Sequence, residues 1–409
     1  MNRKQLVTLI VLVIILGGVG WFIHQRQQNA NSLAGAGIGK KLLGKDFPVN
    51  DVAHIDLKQG TNEVNLDKTN DLWRVRQRAD YPANFSQISD FLLKAKDLKV
   101  IQTEDVGPSQ LSRLYLTATD GSNSAEVVTF KDEKGKVINT LWLGKKHMRK
   151  SNQPSPEFGG MDDEGFPDGR YVRVGDAGPV AVISEAFANI EPAPEQWLNK
   201  DFVKIDRPKT ISVQFPTATN SWKLTRESES ADWKLADAKA GEQLDSSKAS
   251  SVESPLSSAS FNDVATPDKA SEFGLSKPTV LTVSTFDGLT YTVNVGAKTN
   301  DIYAMTLKVQ SPAPKARVPG KDEKPADKAR LDKEFADQQK QIADKAAQAK
   351  ACENWVYLVS SWTLDPVLKN RSDLLAEKKE EPKKTAAADK AAPDVTQTAA
   401  AGSSPASKN

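Results

Sequence analysis

Few residues of this chain have the type and spacing that chemistry needs. Its three histidines are scattered: His24, His54 at a strand start, and His147 within Lys145-Lys146-His147-Met148-Arg149-Lys150. No His-x-x-x-His or Cys/His spacing occurs, so a transition-metal site has little support. Cys352 is the one cysteine, which excludes an intramolecular disulfide and a multi-cysteine zinc site. It reads as a helix-end or core thiol rather than a nucleophile. There is no Walker A loop, no Gly-x-Gly-x-x-Gly after a strand and no Gly-x-Ser-x-Gly elbow. The chain is therefore read as neither an enzyme nor the ATPase of a transporter, and no cofactor is implied.

The densest acidic cluster is Met161-Asp162-Asp163-Glu164-Gly165-Phe166-Pro167-Asp168-Gly169. Carboxylates and glycines in a loop can wrap Ca²⁺, which makes Asp162, Asp163, Glu164 and Asp168 a candidate set. The alternating Asp/Asn spacing of an EF-hand is missing, and a solvated acidic turn is the plainer reading. The neighbouring basic run could touch anionic lipid or cell-wall polymer, against a plainer reading as screened, solvated lysines. With 55 basic and 53 acidic residues the formal net charge is +2, which gives no electrostatic case for nucleic acid.

The elements that would carry any site begin with a membrane segment. After Arg3 and Lys4, no charged residue occurs from Leu6 to Ile23. Leu6, Ile10 and Ile14 lie within this run, and Trp21 and Phe22 suit the far interface. At ~1.5 Å rise per residue the run approaches the ~30 Å hydrocarbon core. Positive charge at the N-terminus keeps that end in the cytoplasm. Residues 1–24 are thus expected to be a transmembrane anchor in the inner (cytoplasmic) membrane, contacting lipid and leaving the bulk of the chain extracytoplasmic. A cleaved signal peptide is the rival. It needs a shorter apolar region and a small-x-small site; no Ala-x-Ala follows directly, although Ser32 to Gly39 is rich in small residues.

Residues 25–45 read as a flexible linker. Beyond it the sequence repeats. Asn70-Asp71-Leu72-Trp73-Arg74-Val75 is echoed by Ser230-Ala231-Asp232-Trp233-Lys234-Leu235, with Trp73 and Trp233 160 residues apart. The same offset places Val100 to Thr103 on Ser260 to Asp263. A helix is expected from about Asn84 to Leu98, with Phe85, Ile88, Leu92 and Ala95 on one face and a cap at Asn84 and Gln87. Its counterpart, with Leu244, Lys248, Val252 and Leu256, contains Pro255 and should be short or kinked. Strands Val137 to Leu143 and Thr290 to Val295 both end at a glycine, after the turn signals Lys134-Gly135 and Asp287-Gly288. The strand pair Tyr171 to Val174 and Val180 to Ile183 corresponds to Trp355 to Val359. The short segments Trp197 to Lys200 and Val367 to Asn370 follow.

The expected fold is α+β: two similar tandem domains of mixed or antiparallel sheet with helices, at 46–206 and 207–376. An insertion is expected at the same place in each, about Lys145 to Gly169 and a longer one after Gln310, including a charged helix at about 311–353. Leu331, Phe335 and Ile342 give that helix a thin apolar stripe. Residues 377–409, rich in Lys, Glu, Ala, Pro and Ser, are expected to be disordered.

From Trp73 onward the chain resembles the DUF4340 family. The resemblance rests on the Trp strand, Tyr81-Pro82-Ala83-Asn84 with the helix and strand after it, and Phe273-Gly274-Leu275-Ser276-Lys277-Pro278 with strands ending at Gly296. It covers about His54 to Leu375. Copy two departs at Pro255 and in its long insertion. The resemblance implies a membrane-anchored protein, as members of the family typically are, and some members are encoded with or fused to parts of gliding-type ABC transporter systems. It implies no catalytic residue and no substrate. The expected function is a non-enzymatic accessory or scaffolding subunit of a membrane complex, with transporter membrane subunits as partners. The alternative is a structural envelope protein contacting cell wall or an outer layer.

Overall fold

The structure, a computed structural model, describes residues 37–118, 123–149, 166–312, 316–320 and 323–377. The expected anchor and tail lie outside these residues. Among the described residues no helix is long and apolar enough to cross a membrane.

Two antiparallel sheets carry the fold. The first holds β1 (His54–Gln59), β2 (Asn62–Thr69), β3 (Leu72–Val75), β4 (Tyr81–Pro82), β5 (Val100–Glu104), β6 (Glu126–Lys131), β7 (Val137–Arg149), β8 (Phe166–Val174) and β9 (Val180–Ile183), in the order β4-β3-β2-β1-β6-β7-β8-β9-β5. The second holds β10 (Pro208–Gln214), β11 (Trp222–Thr225), β12 (Lys234–Leu235), β13 (Asp263–Ala265), β14 (Thr279–Thr285), β15 (Thr290–Val295), β16 (Ile302–Gln310) and β17 (Val356–Ser360), in the order β12-β11-β10-β14-β15-β16-β17-β13. Remove β4 and the two orders are the same. Residue parity decides which side chains face the core: Ile55 and Leu57 on β1, Val128 and Phe130 on β6, and Leu281 and Val283 on β14 are all buried, as expected for strands with one packed face.

In each sheet a helical segment carries the chain to the far edge. The first, α1 (Phe85–Asp97), starts at Asn84, whose side chain accepts from the Gln87 N–H. That contact satisfies one of the free amides of the first turn. Its buried face is Ile88, Phe91, Leu92 and Ala95; Phe85, expected on that face, is 65% exposed. The counterpart is shortened as Pro255 required: α2 (Ser246–Ala249) runs into a 3₁₀ turn over Ser250–Val252, with Val252 and Leu256 still buried.

The insertions are not equivalent, which corrects the expectation. Lys145 to Arg149 is strand rather than basic loop: β7 runs on through Gly144 and pairs with β8 from Phe166 onward, so the first insertion sits within the β7–β8 hairpin. The second lies one hairpin later, between β16 and β17, and contains α3 (Pro325–Ala351). The strand β16 is not among the expected strands, although its alternating burial at Met305, Leu307 and Val309 follows from its sequence. Hydrophobic alternation was hidden there by the neighbouring prolines of the insertion.

Gly144 and Gly296 are matched by more than sequence. A Cβ at Gly144 would sit 2.4 Å from the Leu114 carbonyl oxygen, and one at Gly296 would sit 2.1 Å from that of Phe273. In both halves the backbone leading toward the next core strand crosses directly over the glycine. Alanine at either position is expected to lower stability by about 1–3 kcal/mol, because backbone cannot yield as a side chain does. Gly107→Ala, where nothing lies within 4 Å, should change it by less than about 0.5 kcal/mol. Guanidinium denaturation midpoints of the three variants check this.

Candidate functional site

Sheet one meets sheet two through its extra strand. The turn before β4 has left-handed residues, Ala79 (φ 52) and Asp80 (φ 59), and it is flanked by Arg78 and Tyr81, both of which reach the second half of the chain. The Tyr81 ring lies 4.9 Å from Trp355, 5.8 Å from Phe261 and 6.2 Å from Tyr357, edge-on to each. Phe202, from the segment joining the sheets, lies 4.6 Å from Tyr357 and 5.3 Å from Phe261. Such offset geometries add to area burial because ring edges meet ring faces.

Arg78 closes the junction as a fork. Its Nε donates to Asp263 Oδ1 at 2.6 Å and its Nη2 to Asp263 Oδ2 at 2.8 Å, with Glu195 Oε2 at 3.3 Å from Nη2. The Asp263 carboxylate raises the guanidinium pKa against the opposing effect of burial. Lys200 Nζ donates to the Asn262 carbonyl at 2.8 Å and stands 4.6 Å over the Phe261 ring. Burial pulls its pKa down.

Beside this contact opens a cleft of about 720 Å³, the size of a small-molecule or peptide site, at a junction where such sites concentrate. Tyr81, Phe202 and Cys352 give it an aromatic and apolar floor, and Lys204, Asp206 and Lys345 a charged rim. The C-terminal end of α3 forms one wall, held by Lys345 Nζ at 3.3 Å from Asp287 Oδ2. The floor is poorly suited to acid–base or nucleophilic work. Burial raises the Cys352 thiol, pushes Tyr81 up to about 12 and raises Tyr357 further still. A thiol held protonated is a weak nucleophile. The Tyr357 hydroxyl lies beside Tyr81 and Cys352 without hydrogen-bond geometry to either.

Of the residues singled out by sequence for their chemistry, only Cys352 lines this cleft. Asp168 Oδ1 is hydrogen-bonded to His147 Nδ1 at 2.6 Å on the β7–β8 ribbon. Asp162, Asp163 and Glu164, and the anchor residues Leu6, Ile10, Ile14, Trp21 and Phe22, lie outside the described residues. Among the described residues no group of three or more His, Cys, Asp or Glu side chains is placed to hold a metal. His54 Nδ1 pairs with Asp67 Oδ1 at 2.7 Å. Sequence reading missed Arg78 and Asp263 altogether; their separation of 185 positions leaves no local signal. Tyr81 was visible only as part of a family pattern.

The family model for a domain of unknown function, DUF4340, matches residues 162–278. Over that stretch the chain is similar to the DUF4340 domain. The matched stretch takes in β8, β9, the segment joining the sheets and the start of sheet two, including Phe273 to Pro278. No curated protein and no solved structure matches the chain.

Two substitutions separate packing from polar contacts at this junction. Tyr357→Phe removes a buried hydroxyl with no hydrogen-bond partner and should leave stability unchanged or raise it by up to about 1 kcal/mol. Asp263→Ala should lower it by about 1–2 kcal/mol, and Arg78→Ala should add little in the Asp263→Ala background. Thermal unfolding of the single and double variants gives the coupling directly.

Proposed function

We propose that this chain is a non-enzymatic, extracytoplasmic accessory or scaffolding subunit of a membrane complex, tethered at the inner membrane by residues 1–24. The observation that supports it best is the junction cleft: it is large, aromatic-floored and polar-rimmed, and its titratable floor groups are held in their protonated, unreactive forms by burial. Such a surface binds and positions; it does not move protons at neutral pH. The fork between Arg78 and Asp263 braces the two sheets around it, as a platform for a partner requires. Association with ABC transporter membrane subunits rests on the family resemblance. The charged face of α3, which flanks the cleft, offers a partner a long polar surface of both signs.

In-cell crosslinking of the full chain, followed by mass spectrometry, tests this reading. Transporter membrane subunits should be recovered, with crosslinks concentrated at Lys200, Lys204 and Lys345 around the cleft. Recovery of cell-wall or outer-layer components alone would overturn it in favour of a structural envelope protein.

A further inference from the structure

A second cavity, of about 220 Å³, lies in sheet one, where β6, β7 and β8 meet the β1–β2 turn and the segment after β9. Its chemistry originates in strand parity. Burial alternates along β6, and Glu126 occupies the same inward register as Val128 and Phe130. A carboxylate is thus carried into the core side of the sheet and is only 3% exposed. Arg170, from β8, meets it: Nη2 donates to Glu126 Oε2 at 3.0 Å. The rest of the guanidinium is engaged by backbone, with Nε on the Gly144 carbonyl at 2.8 Å and Nη1 on that of Phe187 at 3.4 Å.

Glu126 Oε1 has no hydrogen-bond partner although it is buried. An unsatisfied buried carboxylate oxygen is costly, and such exceptions call for an explanation. Two further charged residues line the same cavity, Lys146 from β7 and Glu191 from the segment after β9, along with Gln59 and Asn62. Gln59 gives its amide N–H to the Ser124 carbonyl at 3.0 Å, which leaves its side-chain oxygen as an acceptor.

This set selects among ligands. A simple anion would meet two carboxylates, with Arg170 already committed. A simple cation would meet Lys146 and Arg170. A divalent metal would find two carboxylates beside a guanidinium. A ligand carrying both charges a few bonds apart matches every member. We propose that this cavity binds a small zwitterion of the amino-acid type, with its ammonium between Glu126 and Glu191 and its carboxylate on Lys146. The volume of about 220 Å³ admits a small amino acid.

The charge state supports the same geometry. Burial pushes the Glu126 carboxyl up to about 7, with Glu191 adding to the rise and Arg170 and Lys146 opposing it. An ammonium requires the ionised form, so binding expels a proton at neutral pH and tightens as the pH rises through that value. Gln59 and Asn62, the remaining polar side chains on the cavity, do not titrate.

Calorimetric titration of the full chain in mild detergent tests the site, with glycine, L-alanine and D-alanine as probes and acetate and ethylammonium as half-molecules. The amino acids should bind at least about tenfold more tightly than either half-molecule, and more tightly at pH 8 than at pH 6 by about tenfold. Glu126→Gln should abolish the pH dependence and weaken binding. Lys146→Ala, at an exposed position, should weaken amino-acid binding about tenfold while ethylammonium, relieved of a neighbouring cation, binds no more weakly. No binding of any amino acid up to ~10 mM, equal binding of the half-molecules, or full affinity in Lys146→Ala would overturn the proposal. Its failure would leave the junction cleft, built from different residues, untouched.

Discussion

The arrangement of the two sheets depends on one short turn. Ala79 and Asp80 adopt left-handed backbone, a conformation that non-glycine residues enter only when surrounding structure compensates for it. Here the compensation is visible on both sides. Arg78 forks onto Asp263, and Tyr81 enters a ring of aromatic side chains from the second half. The strand that follows the turn, β4, is the one strand of sheet one with no counterpart in sheet two. An otherwise repeated architecture is made asymmetric at the place where its halves meet. That asymmetry has a physical logic: two identical edges would pair with each other or with other chains, whereas a capped edge that presents an arginine and a tyrosine has one specific partner.

The same sheet plan is extended differently in its two copies. Sheet one lengthens a hairpin, carrying His147 and Asp168 outward on a two-stranded ribbon. Sheet two places α3 one hairpin later, where its last turns, through Ala346, Ala349 and Cys352, become part of the core. Insertions settle at hairpins because the ladder on either side is left intact. Moving by one hairpin changes which sheet edge and which face the insertion can reach. The second insertion lies against the junction and supplies a wall of the large cleft. The two cavities therefore differ in kind. One is a product of how the halves meet; the other is a product of strand parity within a single sheet.

Both cavities show burial overriding intrinsic side-chain chemistry. Tyr81, Tyr357 and Cys352 are raised because the charged form would be desolvated. Glu126 is raised for the same reason although Arg170 and Lys146 oppose the shift. Desolvation exceeds the attraction of a buried ion pair when not every oxygen is satisfied, and Glu126 Oε1 is such an oxygen.

The amino-acid sequence by itself determined the local features. Alternation and turn chemistry located most strands, Asn84 with its helix was legible from capping and periodicity, and Pro255 marked where the second helix had to stop. The paired glycines at 144 and 296 were visible as strand-end signals, but their function as crossing points was not, because the carbonyl that passes over each comes from a segment some distance away in the chain. The two insertions are not equivalent in position for a related reason: β16 is adjacent to a proline-rich stretch, and its strand character is evident only from its partners on either side. Only the tertiary structure decided the sites. Arg78 with Asp263, and Glu126 with Arg170 and Lys146, are contacts between residues far apart in the chain, and side-chain charge acquires meaning only when burial and an opposing partner are fixed. Periodicity is a property of neighbours in sequence and can be read there; a binding site is a property of neighbours in space, and the fold alone supplies them.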